Sequence, residues 1–485
     1  MKQLNDILND VGVVLQTGPE NPTITSLCFD SRKAGKGSAF FAIPGTLTDG
    51  HQFIDKARES GAHIIVCERM PAEKADHVTY VQVKDSAETL GLAAASFYNN
   101  PSKKIKVIGV TGTNGKTTIA TLLHRVFTEA GHSSGLLSTV KYLIGNTETL
   151  ASHTTPDPLQ INQLFDEMVE AGCQYCFMEV SSHAIHQKRI AGIQFAGGIF
   201  SNITHEHLDY HKTFKEYIKT KKAFFDNLLP DTFALVNRDD RNGKIMVQNC
   251  RANVSSFGMV GPADVKGKIL ESHMDGMQLM INDTEIWVRL VGQFNASNLL
   301  AVYGAALLNG IEKDELLTIL SRQTAVRGRF ETVQSGDGIT AIVDYAHTPD
   351  ALKNVMSTIM QLRNGKSQLI TVVGAGGDRD TSKRPKMGLV AAEFSQKLIL
   401  TSDNPRDEKP EEIIRQMMMG IPEKKQKGVL SIPDRREAIK TAVMLASKGD
   451  IILVAGKGHE SYQEIEGKRY HFNDMEVLQE LLKPS

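Results

Sequence analysis

The stretch KIKVIGVTGTNGKTTIATLLHRVFTEAG, residues 104–131, constrains the chain more than any other. It reads as a strand, a glycine turn and a helix, with Lys116 and Thr117 where the turn gives way to the helix. Such a turn aims backbone N–H groups and a helix N-terminus at phosphate, and the lysine adds a positive point charge. The threonine hydroxyl is placed to ligate Mg²⁺ carried by a nucleotide. A phosphate-binding turn over Gly112, Thr113, Asn114, Gly115, Lys116, Thr117 and Thr118 is therefore expected. The usual pattern sets its first glycine where this chain has Val110; the glycines here are Gly109, Gly112 and Gly115. The strand before, the helix after and the GKT ending carry the reading.

A chain of 485 residues is long enough for about three domains. Residues 1–98 alternate short apolar strands (SAFFAI, HIIVCE, TYVQV) with amphipathic helices near 51–60 and 85–97. Residues 99–104, NNPSKK, are polar, broken by proline, and read as a linker. The next block, 99–330, begins with the phosphate turn and adds apolar strands QYCFMEV, GGIFSNI and FALVN. The last block, 331–485, repeats that grammar with GITAIVDY, SQLITVVGAGG, KLILTSD and DIILVAGKG, each followed by a helical pattern. Continuous apolar strands alternating with helices predict parallel sheets covered on both faces. The expected fold is thus α/β in three domains, with a central P-loop-type parallel sheet and a C-terminal Rossmann-like doubly wound sheet. Ligands belong at the carboxyl ends of the strands.

Lys and Arg number 55 against 56 Asp and Glu, a balance that advertises neither nucleic acid nor an acidic membrane surface. No apolar run approaches membrane-spanning length. The start MKQLNDILND lacks the features of a signal peptide. Cys28, Cys67, Cys173, Cys176 and Cys250 are sparse and fit a reducing cytoplasm. Cys173 and Cys176 form a C-x-x-C, but no second pair completes a zinc site, so buried thiols are expected.

Several further segments, in chain order, resemble the Mur ligases: GTNGKTT at 112–118, MEVSSHAIHQKR at 178–189, NITHEHLDYH at 202–211, GRFE at 328–331, DNPR at 403–406 and AGKGHE at 455–460. The resemblance spans essentially the whole chain. It implies a cytoplasmic ligase that uses ATP and Mg²⁺ to phosphorylate the terminal carboxylate of a UDP-N-acetylmuramoyl dipeptide. The amine of meso-diaminopimelate then attacks the acyl phosphate, giving an amide, ADP and phosphate. Small molecules are the expected partners, without nucleic acid or membrane insertion, and the chain is expected to be a monomer. Such chemistry needs no protein nucleophile; it needs the carboxylate in line with the γ-phosphate and cations to absorb migrating charge.

The resemblance also implies roles for individual residues. Lys116, Glu179, His207 and Lys221 form the catalytic set. Thr117, Glu179, His207 and Lys221 are its metal ligands, with Lys221 in EYIKTKKAFF carbamylated. Carbamylation needs the neutral amine, which is only about one molecule in a few thousand at pH 7 for an unperturbed lysine. Crowding by Lys219 and Lys222, with partial burial, is expected to lower its pKa. His207 is a Mg²⁺ ligand or phosphate neighbour, whereas His205 and His211 are structural or solvent-facing. Asn298, and less so Asn295, reach toward adenine from VGQFNASN, and Arg329 and Asp344 contact nucleotide phosphate and ribose. Thr154, Thr155, Ser181, Gln187 and Arg189 contact the nucleotide-sugar peptide, whose uridine end meets Phe29, Ser31 and Thr46.

Arg379, Asp403, Asn404, Pro405, Arg406, Gly456 and Glu460 match the diaminopimelate pocket. There Arg406 would pair with the distal carboxylate that lysine lacks, and Glu460 would receive the distal ammonium. Three rival readings remain: a lysine-adding relative, a folylpolyglutamate synthase-like ligase sharing the central and C-terminal architecture, and a nucleotide-binding regulator without chemistry.

Overall fold

The computed structural model describes residues 1–45, 48–151, 153–363, 365 and 367–483. Thr46 therefore lies outside the described residues. Three sheets dominate, each drawn from its own stretch of sequence. The N-terminal sheet has five strands between Val13 and Val83; four are parallel, and the antiparallel edge strand Val13–Thr17 pairs with Thr79–Val83.

The central sheet has eleven strands. Its parallel heart runs Ser134–Leu137, Tyr175–Glu179, Lys106–Thr111, Phe195–Phe200, Phe233–Asn237 and Asn253–Gly258. The sheet widens at both sides: antiparallel Lys141–Ile144 and Thr147–Leu150 extend one, and at the other Val265–His273 joins Asn253–Gly258 in parallel and opens an antiparallel meander that runs to Val288. The expected parallel sheet is thus the middle of a wider mixed one. The additions are hairpins, which need only a tight turn where a parallel strand needs a crossover. Two apolar cores cover its two faces. One gathers on Lys116–Glu129 and Gln293–Leu308, the other on Pro158–Glu170 and Phe214–Asp226.

The C-terminal sheet has six strands in the order Glu331–Gln334, Thr340–Asp344, Ile451–Ala455, Leu369–Ala375, Lys397–Ser402 and Val429–Ser431. All but the first are parallel, and cores again lie on both faces. Four of the five cysteines are buried, and all five are free thiols. Among the described residues no helix is long and apolar enough to cross a membrane.

Candidate active site

The phosphate turn lies between Lys106–Thr111, central in its sheet, and the helix Lys116–Glu129. Backbone bonds fix its shape. Thr113 N–H donates to Asn202 O at 2.8 Å, and Asn114 N–H donates to the Asn202 side chain at 2.9 Å. Gly115 caps the helix with φ +86°, and a Cβ there would lie 2.5 Å from Asn298 Oδ1. Only glycine suits both the left-handed backbone and that approach. Thr118 is buried on the first turn of the helix.

Two ammonium groups converge on this turn. Lys116 Nζ donates to Gly112 O at 3.0 Å and Thr113 O at 2.7 Å, and Lys221 Nζ donates to the same Gly112 O at 2.9 Å. Lys221 projects from the helix Phe214–Asp226, is buried, and lies 4.9 Å from the centroid of the Tyr217 ring. Burial first, then the charge of Lys116, pushes its pKa well below the ordinary lysine value, with Glu206 opposing. The expected crowding by Lys219 and Lys222 is not what acts here. On their helix those side chains point elsewhere, Lys219 to Glu216 and Lys222 to Asp226. The relevant second cation comes from the phosphate turn, far away in sequence.

Glu179 ends its strand beside the turn and is fully buried. The Thr117 hydroxyl donates to its Oε1 at 2.9 Å. Thr139 donates to that oxygen through N–H at 2.7 Å and through its hydroxyl at 3.0 Å. Arg329 Nη2 in turn donates to Thr117 Oγ1 at 3.0 Å, and its guanidinium stacks 4.4 Å from the centroid of Tyr345. A residue of the segment leading into the C-terminal sheet thus touches the threonine of the phosphate turn. That segment is itself held: Asp344 accepts from Phe330 N–H at 2.7 Å and from Ala346 N–H at 2.8 Å. Gly328 has φ +67°, and a side chain there would collide with the backbone of Gly458 and His459.

The remaining members of the central group are linked in a chain. Thr139 Oγ1 lies 3.1 Å from Thr154 Oγ1. The Thr155 hydroxyl donates to Glu179 O at 2.8 Å and accepts from Ser181 N–H at 3.1 Å. Arg189 donates to Thr155 O at 2.9 Å and to Gln187 Oε1 at 2.6 Å, while Gln187 Nε2 donates to Tyr210 OH at 3.0 Å. His207 caps the short helix Leu208–His211, and its ring is 4.9 Å from that of His183. Burial holds its pKa below the ordinary histidine value, against the pull of Glu206. His211 is buried on Ser182 Oγ at 2.9 Å, whereas exposed His205 stacks on Phe214.

The Asn298 amide faces Gly115 and Asn295, and Asn295 Nδ2 donates to Val291 O at 2.9 Å. Asn295 also lines a cavity of about 290 Å³ with Arg289, Thr324, Phe330 and Glu331. In the N-terminal sheet region, Phe29 is 41 % exposed and Ser31 is buried at the start of a one-turn helix capped by Asp30.

A second group gathers at the carboxyl ends of the C-terminal strands. Asn404 Nδ2 donates to Glu460 Oε2 at 2.7 Å. Arg406 Nη1 donates to Gly377 O at 2.6 Å and its Nε is 3.7 Å from Glu464 Oε2. Glu408 N–H donates to Pro405 O at 3.0 Å, and Gly456 N–H donates to Asp344 O at 3.1 Å. Asp403 is buried and Arg379 exposed. One expectation changes: Glu460 already holds an ammonium, that of Lys457, on Oε2 at 3.0 Å. Both of its contacts fall on that one oxygen, so a further donor would address Oε1.

Family profiles match this chain in order. The one described as "Mur ligase family, catalytic domain" covers residues 23–98, "Mur ligase middle domain" covers 110–306, and "Mur ligase, glutamate ligase domain" covers 328–458. A protein of Cytophaga hutchinsonii, named UDP-N-acetylmuramoyl-L-alanyl-D-glutamate--2,6-diaminopimelate ligase, is 53% identical over 481 residues, 99% of each chain. The chain belongs to the Mur ligase family. A solved structure of a protein with that same name superposes on this Mur ligase with TM-score 0.69 at 29% identity, over 99% of this chain and 98% of its own. The MurF ligase of Thermotoga maritima in complex with ADP shares the fold, with TM-score 0.62 at 19% identity over 94% and 96%.

The structure adds residues to the candidate site beyond those given a role from the sequence. Thr139 is the second threonine on Glu179. Glu206 lies 3.3 Å from His347, joining the central turn to the C-terminal sheet. Burial opposes its ionisation, but the His347 hydrogen bond and the charges of His207 and Lys116 prevail and hold its carboxyl below the usual range. Arg384, fully buried, grips Glu408 through two bonds of 2.7 Å. Glu206 sits inside the motif HEHLDYH; the others carry no local signal.

Proposed function

We propose that this Mur ligase is an ATP-dependent amide ligase that joins meso-2,6-diaminopimelate to UDP-N-acetylmuramoyl-L-alanyl-D-glutamate, a step in making peptidoglycan precursors. The observation that carries the reading is the end-to-end relationship to a diaminopimelate ligase at 53% identity. The contact of Thr117 with both Glu179 and Arg329 supports the phosphoryl-transfer half of it.

In this reading the phosphate turn and Lys116 hold the ATP phosphates. Asn298, Arg329 and Asp344 complete the nucleotide site. Arg189, Gln187, Ser181, Thr154 and Thr155 orient the dipeptide so that its free carboxylate faces the γ-phosphate. Phe29, Ser31 and Thr46 take the uridine end. The carboxylate oxygen attacks phosphorus and ADP leaves; the amine of diaminopimelate then attacks the acyl carbon, loses a proton and expels phosphate. Burial around Thr117 and Glu179 keeps water from the acyl phosphate and strengthens each charge–dipole contact there.

Among the described residues no three His, Cys, Asp or Glu side chains gather to hold a metal on their own. Thr117 and Glu179 instead offer a hydroxyl and a carboxylate, oxygen donors of the kind that would suit Mg²⁺. His207 and carbamylated Lys221 would complete the protein's share. The depressed pKa of Lys221 supports the carbamate, because the neutral amine is the form that combines with CO₂. When bound, Mg²⁺ would neutralise charge on the migrating phosphoryl group.

Arg379, Asp403, Asn404, Pro405, Arg406, Gly456 and Glu460 form the amino-acid pocket. Arg406 recognises the carboxylate that distinguishes diaminopimelate from lysine, since a lysine would leave that arginine without its partner. We further assign domains 1–98, 99–330 and 331–485, a division supported by the membership of the three sheets, and a cytoplasmic, monomeric enzyme.

The test is direct. Purified protein is incubated with ATP, the UDP-muramoyl dipeptide and either diaminopimelate or lysine, and the product is weighed. The diaminopimelate adduct is expected, with ¹⁸O from the dipeptide carboxylate appearing in the released phosphate. A lysine adduct alone, or unlabelled phosphate, overturns the reading.

A further inference from the structure

Lys457 has no place in the scheme above, yet its side chain is 0% exposed. It follows the strand Ile451–Ala455. Its ammonium donates to Asn404 Oδ1 at 2.9 Å and to Glu460 Oε2 at 3.0 Å, and Asn404 Nδ2 closes the triangle on Oε2 at 2.7 Å. Asn404 Oδ1 also accepts from Glu464 N–H at 2.9 Å. The Tyr462 ring centroid lies 5.6 Å from the ammonium. Asp403 feels the same charge: burial pushes its carboxyl up, but Lys457, then Arg435, bring it below the ordinary value.

We propose that Lys457 is a specificity-determining positioning residue of the amino-acid pocket. Its ammonium locks the Asn404 amide and the Glu460 carboxylate together and cancels a negative charge that would otherwise favour a lone ammonium over a zwitterionic end. The inference rests on reading residues 403–406 and 456–460 as that pocket.

The first half follows from donor and acceptor capacity. With Lys457 and the Glu464 N–H both donating to Oδ1, the Asn404 amide can present only its NH₂ to Glu460. Without the ammonium, Oδ1 keeps only the Glu464 N–H and Glu460 keeps a single partner, so both side chains are held less firmly. The second half follows from charge. Asp403, Glu460 and Glu464 are acidic, and Lys457, Arg406 and Arg379 basic, while Arg435 is paired with buried Asp474. The pocket is therefore neutral, and loss of Lys457 leaves it one net negative charge. The far end of diaminopimelate carries an ammonium and a carboxylate and is neutral; that of lysine carries the ammonium alone. A more negative pocket draws the lysine end and repels the carboxylate. Specificity is such a difference between two ligands, and a repulsive element can set it.

The experiment measures kcat and KM of the full chain with ATP and the UDP-muramoyl dipeptide. It compares diaminopimelate with lysine in wild type, K457M, E460Q and K457M/E460Q. In K457M the KM for diaminopimelate is expected to rise about 10²-fold, with KM for ATP and for the dipeptide within about twofold of wild type. The preference in kcat/KM for diaminopimelate over lysine should fall by about tenfold or more. In K457M/E460Q the preference should return close to that of wild type, because removing both members of the pair leaves the net charge unchanged; such non-additivity marks two residues acting as a unit.

Equal losses for both amino acids in K457M, or multiplied losses in the double variant, overturn the proposal. Should K457M alone fail to fold, the neutral pair K457M/E460Q decides. A preference close to that of wild type supports the proposal, and one about tenfold lower sinks it. A wild-type enzyme inactive on diaminopimelate would instead overturn the functional reading, and this inference with it.

Discussion

The central and C-terminal sheets share a layout, with parallel strands, apolar cores on both faces and polar groups at the carboxyl ends, but they hold those groups in place by different means. At the phosphate turn the work falls to backbone amides and hydroxyls: Thr113 and Asn114 on Asn202, Thr117 and Thr139 on Glu179. In the C-terminal sheet it falls to interlocked charges: Arg384 with Glu408, Arg435 with Asp474, Lys457 with Glu460. A backbone-built site is vulnerable to added bulk. A charge-built site is vulnerable to neutralising one partner, which strands the other in a dry environment.

Lys221 is the exception that sharpens the contrast, a buried cation within the backbone-built site. K221A should lower turnover by about 10³-fold or more while circular dichroism and the thermal midpoint stay close to wild type. Near-normal turnover would remove Lys221 from the catalytic set.

The charge-built half is probed most severely at Arg435, whose guanidinium donates two 2.7 Å bonds to Asp474 and further bonds to Ser402 O and Ala455 O. R435M should cost about 3–5 kcal/mol by urea unfolding, and R435M/D474L markedly less, since the second change removes the stranded carboxylate. A loss below about 1 kcal/mol for the single variant, the size of an exposed pair, would break the comparison.

The backbone-built half is probed at Gly115. G115A forces a Cβ onto a left-handed backbone beside Asn298 and should cost about 1–3 kcal/mol, with a higher KM for ATP and an unchanged KM for the amino acid. Salt should affect this variant no more than wild type.

The smallest effect is a pH slope. His124, buried on the helix that follows the turn with Ser134 Oγ 2.8 Å from Nδ1, is lowered by burial, then by Lys141 and Arg125, to a pKa of about 4. Its folded value lies below its unfolded one, so its contribution is fully present above about pH 6.5 and is lost as pH falls toward the folded value. H124Q should flatten the acid side of the stability curve by up to about 1.4 kcal/mol per pH unit. An identical curve would mean that another group takes up the proton.

The same contrast explains what could be read before any coordinates. A turn shaped by its own backbone announces itself locally, so the strand, the glycines and GKT of residues 106–118 were legible, as were the apolar strands of both sheets. Glu179 could be placed at a strand end, but Thr139, its second hydrogen-bond donor, lies 40 positions away and has no motif. Lys221 could be singled out, as a carbamylated metal ligand, only through family resemblance. The source of its pKa shift was misassigned to helix neighbours because nothing in the chain brings Lys116 next to it except the fold. Arg384, Lys457 and the Glu206–His347 contact depend in the same way on which loops the sheets bring together. The hairpins widening the central sheet lie in segments to which the sequence pattern assigns no strand, 141–150 and 265–288.

With no side chain at position 328, the backbone at Gly328 can lie flush against Gly458 and His459. Residues 328–330 and the Glu460 loop are therefore seated as one piece. A swing of the C-terminal sheet away from the phosphate turn would carry both, parting Arg329 from Thr117 in the same stroke that withdraws Glu460. In the proposed reaction, departure of spent nucleotide and admission of the next amino acid would then be geared to a single movement, with a methyl group at residue 328 a wedge in the gear.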